Sequence, residues 1–217
     1  MLKLCCISDT HGKYNQLDLT NYPADVLIHA GDWTAKSTKT QILSFLEWFD
    51  VQPFNHKILV AGNHETLVEE DQDWFYKALQ FFPEITYLQN SEMTIDGIKF
   101  YGSPYSNEFY EWAFMEDEWD LQAIWDKIPD DTNVLITHGP AYGCHDLVKH
   151  AYGRDPHVGS QSLHYKKLAL QGTLKAHICG HIHENYGTSI VHSWVNVNAA
   201  VLNDRYKLVN TPIVIEV

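Results

Sequence analysis

Five short motifs combine side chains that bind cations. They are Asp9-Thr10-His11, Gly31-Asp32, Gly62-Asn63-His64-Glu65, His138-Gly139 and Gly180-His181-Ile182-His183. Together they offer carboxylates from Asp9 and Asp32, a neutral carbonyl oxygen from Asn63, and imidazoles from His11, His138, His181 and His183. Oxygen and imidazole donors without a thiolate suit manganese, iron, zinc or nickel. In an extended segment, residues two apart point to one side, so Asp9 with His11, and His181 with His183, are expected to chelate. Asp32 has two carboxylate oxygens and is able to bridge two ions. Taken singly, each motif also reads as a solvated strand end, a turn asparagine or a hydrogen-bonded core histidine. Their ordered conjunction is what calls for a metal centre.

Each motif follows a short apolar run. Leu2–Ser8, Val26–Ala30, Lys57–Ala61, Asn133–Thr137 and Lys175–Cys179 are strand length and rich in Val, Ile and Leu, as strands buried on both faces are. Helical patterns cover Thr40–Phe49, Asp71–Phe81, Glu116–Lys127 and Ser162–Leu170. The alternation predicts an α/β domain in which strand ends converge on one crevice. Ile85–Leu88, Glu92–Ile95 and Ile98–Tyr101 read as three short strands with an Asp96-Gly97 hairpin turn. Trp194–Asn198 and Pro212–Val217 add strand without an obvious helix. The count fits two sheets flanked by helices, the second partly antiparallel, in one domain spanning residues 1–217.

The 217 residues carry 28 acids against 15 Lys plus Arg, a formal net charge of −13. That balance excludes broad binding to a long nucleic acid, which needs a basic stripe. It leaves room for a small phosphate-bearing substrate, because cations in a cleft reverse the local field. Cys5, Cys6, Cys144 and Cys179 form no C-x-x-C pair and are expected as buried thiols. No apolar stretch approaches the length of a membrane span and no signal-peptide pattern opens the chain, so a cytoplasmic protein without membrane contact is expected. No G-x-G-x-x-G or G-x-x-x-x-G-K-[ST] occurs, which disfavours dinucleotide and P-loop chemistry.

The ordered set D-x-H, G-D, G-N-H-[DE], H and G-H-x-H resembles the signature of the calcineurin-like metallophosphoesterase superfamily, across residues 4 to 198. Cys6-Ile7-Ser8-Asp9-Thr10-His11, Tyr101-Gly102-Ser103-Pro104, His138-Gly139-Pro140 and Gly180 through Gly187 are similar to one branch, the small metallophosphoesterase-domain proteins related to class III cyclic-nucleotide phosphodiesterases. The resemblance implies a four-layer αββα sandwich of two mixed sheets. It implies one metal on Asp9, His11, Asp32 and His183, and another on Asp32, Asn63, His138 and His181. Some animal members carry glycine where this chain has His181, so its presence implies a complete dinuclear centre, with manganese placed first among the metals.

The expected activity is hydrolysis of small phosphodiesters, cyclic nucleotides included, by a metal-activated hydroxide. Alternatives are a phosphomonoesterase or nuclease on the same scaffold, and a non-catalytic scaffold. His64 and Asp32 are the expected catalytic residues, with Asn63, His64 and Trp112 facing the substrate. Trp112 sits in the aromatic-rich stretch Tyr105–Phe114, able to stack on a base, to cap the core, or to make an oligomer contact such as a homodimer's. His29 and His177 are expected as core or supporting partners. His56, His145, His150, His157, His164 and His192 read as loop or surface residues, with His157 in a loop from Arg154 to Ser160 that could approach the cleft.

Overall fold

A computed structural model describes residues 1–149 and 156–217. The first sheet takes β1 (Lys3–Ile7), β2 (Val26–Ala30), β3 (His56–Val60) and β4 (Ile85–Tyr87) in parallel, with β13 (Ile213–Glu216) antiparallel along β1. The second sheet has β6 (Ile98–Ser103), β9 (Val134–Thr137), β10 (Ala176–Cys179) and β12 (Trp194–Asn198) in parallel, edged by antiparallel β5 (Ser91–Ile95) and β11 (Gly187–Val191). A two-residue ladder joins β7 (Ser106–Asn107) to β8 (Met115–Glu116).

Side-chain alternation builds the layers. Leu4, Cys6, Val26 and Ile28 of the first sheet meet Val134, Ile136, Ile178 and Val197 of the second in a shared core. The intervening Cys5, Ile7 and Leu27 face outward onto α1 (Lys39–Asp50) and α3 (Gln72–Leu79), through Phe45, Phe49 and Phe75. On the far side, Leu135, Tyr101 and Trp194 pack under α4 (Glu118–Trp125) and α5 (Gln161–Ala169), through Leu121, Trp125 and Leu163. Helices, sheet, sheet, helices: this is the expected four-layer sandwich of mixed sheets.

Two details differ from the sequence reading. Ile85–Tyr87 leaves the antiparallel stretch and joins the first sheet beside β3. The second sheet is partly antiparallel, as expected, with that pairing at its edges β5 and β11. A short α2 (Thr66–Glu70) and the edge strand β11 were not expected, being too short and too polar to show a period. All four cysteines are free and buried, as expected. Among the described residues no helix is long and apolar enough to cross a membrane.

Candidate metal centre

The carboxyl ends of β1, β2 and β3 in one sheet meet those of β9 and β10 in the other. Backbone bonds stitch the seam, Ser8 N donating to Ala199 O (2.9 Å) and Val201 N to Ser8 O (3.0 Å), while Gly180 N to His138 O (3.0 Å) extends the β10–β9 pairing within the second sheet. Two glycines permit the close approach. A Cβ on Gly62 would lie 2.7 Å from both Asp32 N and His138 Cε1, and one on Gly180 would lie 2.7 Å from Ser8 Cβ. Asp9, His11, Asp32 and His181 all take positive φ (54°, 41°, 57° and 67°). Such backbone is uncommon outside glycine and clusters where function demands a particular aim.

The side chains converge. His183 Nε2 lies 3.3 Å from Asp9 Oδ1 and 3.3 Å from His11 Nε2. His11 Nε2 is 3.6 Å from Asp32 Oδ2, while Asp32 Oδ1 is 3.4 Å from His138 Nε2. Asn63 Oδ1 sits 2.9 Å from His138 Nε2. Donor groups Asp9–His11–His183 and Asp32–His138–His181 each fall within 4.8 Å, as does His11–Asp32–His64. Asp32 presents one oxygen to each side, as a bridging carboxylate must. All seven residues expected as metal ligands, and His64, are therefore together.

The structure divides His181 from His183 as the family resemblance implies, and not as the H-x-H spacing alone would allow: His183 joins Asp9 and His11, and His181 joins Asp32 and His138. The left-handed backbone at His181 breaks the extended geometry on which the pairing rested. Asp9 and His11 share a group although neither is extended.

Supporting contacts aim the rings. His138 Nδ1 bonds Ala30 O across the sheets (2.9 Å), and His183 Nδ1 bonds Asn203 O (2.9 Å). Each carbonyl accepts an Nδ1–H, leaving Nε2 free to ligate. His181 N donates to both oxygens of Asp9 (3.1 and 3.0 Å). Glu65 takes four donors: Asp32 N (2.9 Å) and Gly62 N (2.8 Å) on Oε2, and Thr34 N and Oγ1 (both 2.9 Å) on Oε1.

The electrostatics are those of a site built for cations. Burial opposes ionisation of Asp9, but its hydrogen bond and charge pairing with His183 hold its carboxyl well below the usual range. Asp32 is likewise held down, against burial, by His138. Burial alone depresses His138 and His183, yet the facing aspartates lift both to about 9. Burial wins at His11 and His181, lowered to about 4. His11 Nδ1 is buried without a hydrogen-bond partner among the described residues. Buried carboxylates, inward nitrogens and an oxygen–nitrogen donor set together fit divalent ions.

A model of the calcineurin-like phosphoesterase family matches residues 2–185. The chain belongs to the calcineurin-like phosphoesterase family. Metallophosphoesterase domain-containing protein 1 of Homo sapiens is 34% identical over 235 residues, covering 99% of this chain and 70% of its own length, and the Mus musculus protein matches equally. A solved structure from Thermus thermophilus shares the fold with a TM-score of 0.64 at 15% identity, covering 91% of this chain and 88% of its own. This phosphoesterase thus has hydrolysis of phosphate esters as its activity class and a histidine–aspartate cluster suited to metals.

Above the cluster lies a cavity of about 300 Å³. Trp112 stands on its wall, its ring 4.5 Å from that of His64, which is 4.4 Å from that of His11. Sequence reasoning missed three groups of the phosphoesterase site. Tyr206 packs edge-on against His11 (4.9 Å) and His183 (5.3 Å), and Glu184 and Asp204 share the rim. No motif marks Tyr206, because a turn at Asn203 carries it back to the cluster. Glu65 was visible as the acid of G-N-H-[DE] but had no role until its four donors were seen. His29 and His177 are core partners as expected, bonded to Thr10 and to Thr137 and Lys167. His145 is tied inward, between Asn185 O and Ser189 Oγ, contrary to the surface reading. His56 is half-buried at the start of β3, again off the expected surface. His157 pairs with Asp146 (2.7 Å) instead of lining the cavity over the cluster. His150 and Arg154 lie outside the described residues.

Proposed function

We propose that this protein hydrolyses small phosphodiesters, cyclic nucleotides among them, with two divalent ions and manganese as the first choice over iron, zinc or nickel. Asp9, His11, Asp32 and His183 would hold one ion, and Asp32, Asn63, His138 and His181 the other. The ions supply Lewis acidity and a nucleophile at neutral pH. Water adds to phosphorus, one ester P–O bond breaks, and the departing oxygen takes a proton. His64 touches the donor cluster, and among the described residues no carbonyl anchors its ring, so we assign it to hold or deliver that proton. Trp112 and Tyr206 form aromatic walls on which a base or aryl group stacks.

The observation carrying the preference for diesters is the charge of the rim. Among the described residues, no Lys or Arg lines the cavity over the cluster, while Glu184 and Asp204 do. A dianionic monoester meets twice the repulsion from those carboxylates that a monoanionic diester meets. The net charge of −13 also supports a small substrate over a long nucleic acid.

The test is a manganese-activated comparison of bis(4-nitrophenyl) phosphate with 4-nitrophenyl phosphate, followed by mono-, di- and cyclic nucleotides. Faster turnover of the monoester would overturn the reading. Turnover of a cyclic nucleotide, whose departing alkoxide needs a proton as nitrophenolate does not, undiminished in His64→Ala with both metals retained, would remove His64 from its role.

A further inference from the structure

Beside the cavity over the donor cluster lies a second one of about 480 Å³, walled by Pro140, Val148, Pro156, Val158 and Ile182. The two are contiguous: His181, Phe109 and Glu184 line both. Its apolar wall is a fixed structure. Leu147 pairs with His157 in an antiparallel bridge, Val158 N donates to Asp146 O (3.0 Å), and Val148 N to Pro156 O (3.2 Å). At the base the buried Asp146 carboxylate accepts from Gly143 N, Gly159 N and His157 Nδ1 (3.0, 3.1 and 2.7 Å). Ser106, on the same cavity, has a buried hydroxyl with no partner among the described residues.

The first cavity is polar and aromatic, and the second sets an apolar wall opposite Asn107, Glu108 and Glu184, with the unpartnered Ser106 hydroxyl buried beside it. A monoester has one organic substituent and fills only one of them. We infer that the second cavity binds the other ester group of an acyclic phosphodiester, an alkyl chain, with Ser106 Oγ hydrogen-bonding the ester oxygen side of that chain. This rests on the phosphodiesterase reading and narrows it: the preferred substrate is a diester carrying one aryl or nucleoside group and one apolar group, ahead of a cyclic nucleotide. An alkyl group gains by leaving water, and Val148, Val158 and Ile182 supply its surroundings.

The experiment uses 4-nitrophenyl alkyl phosphates with methyl, butyl and hexyl chains, manganese and the 217-residue protein. Nitrophenolate release is the readout throughout. The expected result is a rise in kcat/KM of about threefold per methylene, roughly 240-fold over the five methylenes from methyl to hexyl. Val158 is 37% exposed, so Val158→Asp leaves the core intact. That variant, and independently Val148→Asp, should flatten the series to less than about threefold overall. Hydrolysis of all three esters at equal efficiency overturns the subsite and leaves the diesterase reading standing. So does a steep series that both aspartate variants retain. Absence of hydrolysis of even the methyl ester and of bis(4-nitrophenyl) phosphate overturns the diesterase reading itself, and the subsite with it.

Discussion

Glu65→Gln is the sharpest probe of how the centre is held. The Glu65 side chain is buried and faces four donors, two on each oxygen. Burial and the nearby Asp32 charge raise its carboxyl above the ordinary range, and the four donors oppose them. A proton on Oε2 would point at the N–H groups of Asp32 and Gly62, and one on Oε1 would need the Thr34 hydroxyl to turn and accept it, so the donors favour the carboxylate. Glutamine replaces one oxygen with NH₂. The tolerable orientation turns that group toward Thr34, whose hydroxyl can rotate to accept, while Thr34 N keeps no acceptor. One buried N–H left unpaired costs about 1–3 kcal/mol, and the remaining bonds lose their charge assistance, roughly half their strength. Together they amount to about 3 kcal/mol, a melting-temperature drop of about 6–12 °C for a chain of this size. The same change loosens the Asp32 and Gly62 loops, so metal affinity should fall about tenfold to a hundredfold. Thermal melts and manganese titration calorimetry give the two readouts. Repulsion from Asp32 is the competing effect. If it dominated, Glu65→Gln would be the more stable protein, and that result would refute the reasoning.

Other outcomes follow from the same contacts. Asp32→Asn should reduce turnover at least about a hundredfold, since changes to supporting groups alone reach that size, and atomic absorption should show fewer than two ions per chain. Gly180→Ala puts a methyl group into Ser8 and Asp9, and should lower stability by about 1–3 kcal/mol in denaturant titrations together with metal content. Trp112→Ala should raise KM for nucleotide diesters while leaving a small aryl phosphate ester little changed, and equal effects on both would place Trp112 outside the base-stacking role.

The strands and the ligand set were legible in the sequence because both depend on local pattern. Val26–Ala30 reads as a buried strand from composition alone, and the structure gives the same limits. The donors Asp9, Asp32 and His138 announce themselves by following such runs. What stayed hidden depends on long-range closure. Tyr206 reaches His11 only through the return of the chain after β12. The division of His181 from His183 was implied by the family resemblance but not by the H-x-H spacing, because it turns on one left-handed residue. Glu65 reads only as the acid of the G-N-H-[DE] motif, and the meeting of the Asp32, Thr34 and Gly62 backbones makes it a clamp.

The pH response separates a metal centre from a mere ion-pair cluster, because the two have opposite signs. In the metal-free protein His138 and His183 are raised from 6.5 to about 9 by their aspartates. Their contribution to stability is fully present below pH 6.5 and is lost as pH rises through about 9. The paired Asp9 and Asp32, held below 3.8, contribute above that value and lose the contribution on acidification. The chelator-treated protein should therefore be most stable near pH 6.5 and melt progressively lower toward pH 9. It should also lose stability on acidification, because His11 and His181, lowered to about 4, stay neutral in the fold while the unfolded chain takes up protons. Metal binding requires neutral imidazoles, so each ion displaces a proton, from His183 on one side and His138 on the other. Manganese affinity should accordingly rise by up to about tenfold per pH unit between pH 7 and 9, with proton release visible as a buffer-dependent binding enthalpy. Melting curves with and without manganese should then diverge as pH rises. Parallel curves across that range would mean that these histidines do not exchange protons for metal.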